Sequence, residues 1–175
     1  MVQVLLERGA QQDLKNVYNA EYEHNENGSE TSGSTPLHLA AAGGHKDVVE
    51  LLLEKGAEPN QAQDGDGWTP LHIVADNHKD TYWHKCDQCD DLKDSVKLLL
   101  DAGSDPNRGD YVGYTPLHLA VNSYDKVVVQ LLLDAGADPN KASAKGGTPL
   151  MWAASQLIYG RYEVIRLFQE RGYVL

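Results

Sequence analysis

One tetrapeptide occurs three times in this 175-residue chain, and a fourth time with its last residue changed. Thr35-Pro36-Leu37-His38 returns as Thr69-Pro70-Leu71-His72, Thr115-Pro116-Leu117-His118 and Thr148-Pro149-Leu150-Met151, with starts 34, 46 and 33 residues apart. A second run trails each copy: Leu51-Leu52-Leu53-Glu54-Lys55-Gly56, Leu98-Leu99-Leu100-Asp101-Ala102-Gly103, Leu131-Leu132-Leu133-Asp134-Ala135-Gly136, and the weaker Leu167-Phe168-Gln169-Glu170-Arg171-Gly172. A period of this size marks a stack of like units. No unit can hide its own apolar faces, so neighbours must cover them.

The residues say what each unit contains. Thr35 suits a helix N-cap, where its hydroxyl satisfies an orphan N–H. Pro36 suits the first helical position, where a missing N–H costs nothing. Ala40, Ala41 and Ala42 let this helix lie close to neighbours, and Gly43-Gly44 end it. A second helix, from about Lys46, carries Val48, Val49, Leu51, Leu52 and Leu53 on a wide apolar face, and Gly56 supplies the positive φ that ends it.

These motifs resemble the ankyrin repeat across nearly the whole chain. The resemblance implies an all-α solenoid of antiparallel helix pairs, stacked in an array with projecting β-hairpin or loop fingers, as a single domain over residues 1–175. Residues 1–10 match only a second helix and read as a partial repeat. Residues 11–34 form a long acidic finger loop. Repeat one spans 35–68, repeat two 69–114 with an insertion at 77–91, repeat three 115–147, and a C-terminal repeat 148–175. The resemblance also assigns His38, His72 and His118 a structural role, bonding the repeat's threonine and bridging backbone between repeats.

The insertion holds both cysteines of the chain, Cys86 and Cys89, in a C-x-x-C, with His84 two residues upstream and His78 further back. Two thiolates and two imidazoles are a ligand set that Zn²⁺ takes tetrahedrally. The first expectation is ordinary thiols and no cofactor, with a zinc clip on His78, His84, Cys86 and Cys89 as the alternative. A redox role is set aside because no helix is expected to start at the motif. At the end of the chain, Tyr159, Tyr162, Phe168 and Tyr173, clustered after Trp152, are expected to pack over the end of the stack.

Composition removes other classes. Fifteen Lys+Arg against 26 Asp+Glu give a net charge of −11, the wrong sign for displacing counterions from nucleic acid or approaching an anionic membrane. No apolar run reaches the ~18–20 residues of a membrane span. Glu7 and Arg8 interrupt any export signal at the start, so an intracellular, cytoplasmic monomer is expected. The chain shows no Gly-rich phosphate loop, no G-x-S-x-G elbow and no H-E-x-x-H, so no enzyme is expected.

Positions that the repeat does not need for folding carry the functional expectation. By the resemblance, the partner-facing side chains are Asp66, Trp68, Asp76 and Asn77 in repeat two. They are Tyr111, Val112, Tyr114, Asn122 and Ser123 in repeat three, and Lys145, Ser155 and Gln156 in repeat four. Trp68 and Tyr114 hold equivalent places on neighbouring fingers, with Tyr111 beside them and carboxylates around. The expected function is a noncatalytic scaffold binding a protein with a basic contact surface through its concave face and finger tips. The alternatives are a zinc-dependent structural or sensing element in the insertion, or the targeting domain of a larger enzyme.

Overall fold

The structure, a computed structural model, describes residues 33–76, 89–155 and 162–173, with 89–91 by backbone alone. Within them lie eight helices: α1 (Pro36–Ala42), α2 (Lys46–Glu54), α3 (Pro70–Ala75), α4 (Cys89–Asp101), α5 (Pro116–Asn122), α6 (Lys126–Asp134), α7 (Pro149–Ser155) and α8 (Tyr162–Glu170). Each short first helix pairs with the longer second helix that follows it. The first helices pack in the row α1–α3–α5–α7, and the second helices in the row α2–α4–α6–α8. This is the expected ankyrin solenoid.

The helices start where the repeated threonines dictate. Thr35, Thr69 and Thr115 are extended N-caps, and the proline after each opens the helix. Leu37, Leu71 and Leu117 are wholly buried in the first-helix row, and Leu52, Leu99, Leu132 and Phe168 occupy one fully buried register of the second-helix row. Each such side chain contributes about 2 kcal/mol by leaving water. The registers join into one continuous core, so no repeat has a core of its own.

The turn between the paired helices requires a left-handed residue. Gly44 supplies it in repeat one with φ +64°, whereas repeat three places Tyr124 there with φ +58°. Asp125 partly compensates by capping α6, its Oδ1 accepting the Val127 and Val128 N–H at 3.0 and 3.2 Å.

The fingers are closed loops, and among the described residues none forms a β-strand. One backbone bond shuts each: Gln63 N–H to Trp68 O, Asp110 N–H to Tyr114 O, and Ser143 N–H to Gly147 O. Neighbouring fingers then tie together, with Tyr111 N–H donating to Asp66 O at 3.0 Å and Ala144 N–H to Val112 O at 2.8 Å.

A second set of ties joins the repeats just past the C-terminal ends of the second helices. Asn60 donates through Nδ2 to Gly103 O at 2.9 Å and accepts from Asp105 N–H at 2.8 Å. Asn107 repeats the pattern with Gly136 O at 2.9 Å and Asp138 N–H at 2.7 Å. Surface ion pairs Lys46–Asp94 and Lys126–Glu163 also link successive second helices. The lysine bonds hold both carboxyls below their ordinary range.

Two expectations need correction. The insertion is not loop to its end, because α4 begins at Cys89. A helix therefore does start at the C-x-x-C, and the ground on which a redox role was set aside falls. The aromatic residues near the C-terminus also divide. Phe168 and Tyr173 meet edge to face at 6.0 Å, but Tyr162 is 60% exposed and Trp152 turns back onto repeat three. Tyr159, the partial repeat at 1–10 and most of the acidic loop lie outside the described residues.

Candidate partner-binding surface

The three repeated histidines build the frame. His38 Nδ1 accepts the Thr35 N–H at 3.1 Å and lies 2.8 Å from its hydroxyl, while Nε2 donates to Trp68 O at 3.1 Å in the next repeat. His72 does the same with Thr69 and reaches Tyr114 O at 3.0 Å. His118 does so with Thr115 and reaches Gly147 O at 3.1 Å. A carbonyl can only accept, so Nε2 carries the proton and Nδ1 is the acceptor. All three rings are fully buried. Burial lowers the pKa of His72 from 6.5 to about 4, against the opposing pull of the Tyr114 carbonyl and Asp110. Burial also lowers that of His118, again opposed by its carbonyl bond, here to Gly147. Both are therefore neutral at pH 7. Met151 stands in the histidine place of repeat four and is 60% exposed.

The histidine bonds explain how the finger residues are presented. The carbonyls of Trp68 and Tyr114 are held by the preceding repeat, so their rings project from fixed backbone. Trp68 is half-buried, its ring 6.4 Å from the His72 ring and nearly parallel to it. Tyr114 is half-buried against His118 and Trp152 at 5.5 and 5.0 Å. Tyr111 is 67% exposed and Val112 42%, an apolar pair at the tip of finger three, with the Tyr111 hydroxyl donating to Gln63 O at 3.2 Å.

The carboxylates shape the fingers as well as charging them. Asp66 Oδ1 accepts Trp68 N–H at 2.8 Å, and Asp110 Oδ1 accepts Val112 and Tyr114 N–H at 3.0 and 2.8 Å. Asp76 follows α3 and is half-buried. Asn122 and Ser123 close α5, Ser123 Oγ donating to Leu119 O at 3.0 Å. Lys145 is exposed on finger four, and Ser155 is exposed at the end of α7 with its Oγ donating to Trp152 O. Asn77 and Gln156 lie outside the described residues, as do His78, His84 and Cys86. Of the metal candidates only the backbone of Cys89 is described, at the first residue of α4.

Trp152 lies against Tyr114 and His118, a place that the sequence reading did not give it. It shares the register of Leu39, Ile73 and Leu119, four residues after each repeat's threonine. Finger four has Gly147 where neighbouring fingers carry Trp68 and Tyr114. A Cβ at residue 147 would come within 2.8 Å of Trp152 Nε1, so the indole occupies the space that a finger side chain would fill. The register shared with Leu39, Ile73 and Leu119 was the available signal.

Comparison with known proteins agrees with the architecture. The sequence model of the ankyrin-repeat family, three copies in length, matches residues 1–84 and again 83–174. The chain belongs to the ankyrin-repeat family, whose repeats mediate protein–protein interaction. It is 37% identical over 89 residues to protein phosphatase 1 regulatory subunit 12A of Mus musculus, covering 51% of this chain and 7% of that protein. It is 55% identical over 42 residues to human Rabankyrin-5, covering 24% of this chain and 4% of the relative. Human transient receptor potential cation channel subfamily A member 1 is 54% identical over 46 residues, 26% of this chain and 4% of its own length. The chain thus spans a small fraction of these relatives. No helix among the described residues is long and apolar enough to cross a membrane.

Proposed function

We propose that this chain is a noncatalytic scaffold that grips one partner protein, with a basic contact surface, across the concave face and finger tips of repeats two to four. One observation carries the reading: Trp68, Tyr111, Val112 and Tyr114 leave apolar surface open on adjoining fingers that the histidine and finger-to-finger bonds hold still. Anchors held in place lose little freedom on binding, which favours affinity. Asp66 and Asp110 border these side chains and Asp76 follows α3, on a chain of net charge −11, which favours encounter with a basic partner. The regulatory-subunit name of one relative is compatible with a scaffold role, and the targeting domain of a larger enzyme is the alternative.

Affinity capture with the wild type beside a Trp68→Ala/Tyr111→Ala/Tyr114→Ala variant tests the reading. The variant is expected to lose the specific partner while keeping its helical circular dichroism. Equal recovery by both proteins would show that the patch is not the binding site. The zinc alternative is a separate measurement. About one equivalent of zinc in purified protein, with Cys86 and Cys89 shielded from alkylation, would favour it.

A further inference from the structure

Tyr114 and Trp152 are half-buried rings with centroids 5.0 Å apart at 55°, and both contact the fully buried His118 ring, at 5.5 and 5.2 Å. His118 Nδ1 accepts the Thr115 N–H at 3.0 Å while Nε2 donates to Gly147 O. That bonding needs the neutral imidazole, so no cation sits behind the two outer rings. Asp110 stands beside Tyr114. Its Oδ1 takes two backbone N–H groups, which fixes the carboxylate.

A fixed carboxylate next to aromatic faces is the chemistry that holds a guanidinium. The group is planar and weakly hydrated, stacks on a ring, and donates from its edge to a carboxylate. A lysine ammonium is compact and strongly hydrated, and it gains less from the same surface.

We propose that the partner presents an arginine to this corner of repeats three and four, stacked on Trp152 and Tyr114 and bonded to Asp110. The assignment rests on the chain being a binder of basic partners, and the test separates the two statements. The whole chain is titrated into fluorescein-labelled glycine–serine peptides that carry arginine, lysine or glutamate at the same positions, with anisotropy as the readout. The arginine peptide is expected to bind about fivefold tighter than the lysine peptide. That preference should vanish in Trp152→Leu, which installs the residue type found at Leu119, and in Asp110→Asn, which keeps an acceptor for the turn. Circular dichroism establishes that each variant is folded. A preference that survives in both folded variants puts the arginine elsewhere and overturns the assignment. Equal binding of the arginine and lysine peptides overturns it too, and leaves the basic-partner reading standing. Binding of the glutamate peptide alone overturns both. No binding of the arginine peptide up to about 1 mM overturns the assignment.

Discussion

The ring of Tyr111 lies across Gly67, so close that a Cβ at residue 67 would stand 2.7 Å from Tyr111 Cδ1. One finger's turn is thus covered by the tip of the next, and the backbone bond from Tyr111 N–H to Asp66 O fastens the pair. The most exposed aromatic side chain of the proposed surface is therefore also part of a repeat junction.

Gly67→Ala should damage both roles. Residue 67 has φ +82°, where a side chain costs about 1–2 kcal/mol, and the new methyl group must push the Tyr111 ring aside. Urea unfolding should show a lower midpoint and a free energy of unfolding reduced by about that amount, with weaker partner binding in the folded fraction. An unchanged midpoint would mean that Tyr111 does not rest on Gly67 in solution.

Tyr124→Gly should stabilise the protein. Its φ of +58° matches that of Gly44 in the equivalent turn of repeat one, and the ring is 40% exposed. Relief of the backbone should gain about 0.5–1 kcal/mol. Tyr124→Ala, which keeps a Cβ, should show no such gain. If alanine stabilises as much as glycine, the backbone argument fails.

Stability should fall in mild acid because of His72. Its folded pKa of about 4 lies below the ordinary 6.5, chiefly through burial. The unfolded chain therefore binds the proton first. The stability that the neutral ring contributes is complete above about pH 6.5, is lost as pH falls toward 4, and sums to about 3 kcal/mol. Urea titrations across that range should show a steeper decline for wild type than for His72→Gln. Parallel declines would remove His72 from the explanation.

Ser143→Ala should be tolerated or mildly stabilising. Ser143 Oγ is buried with no hydrogen-bond partner among the described residues. Deleting an unpaired hydroxyl removes a desolvation cost of about 1 kcal/mol and leaves the finger's backbone bonds intact. A loss of more than about 1 kcal/mol on thermal or urea unfolding would reveal a partner for that hydroxyl.

Most of the fold was legible because its determinants are local and repeated. Thr35, Pro36 and His38 meet within one turn, so their spacing specifies cap and helix start, while the bridge to the next repeat followed from the family resemblance. Trp68 and Tyr114 could be placed on neighbouring fingers for the same reason, since register locates them. Trp152 could not, because its orientation depends on a missing side chain at Gly147 in a preceding segment. The start of α4 was missed because the insertion before Cys89 has no apolar period to announce a helix. The asparagine ties through Asn60 and Asn107 were also missed, since each joins residues about 30 to 45 positions apart.

Asn60 and Asn107 tie the repeats just past the C-terminal ends of the second helices, while His38, His72 and His118 tie them at the N-terminal ends of the first helices. Where both kinds of bond cross the same boundary, neighbouring units cannot hinge about one without stretching the other. The curvature of the wall is then set before any ligand arrives. A protein docking there must already match that arc, so selectivity would come from geometric fit rather than from the scaffold moulding itself around its guest.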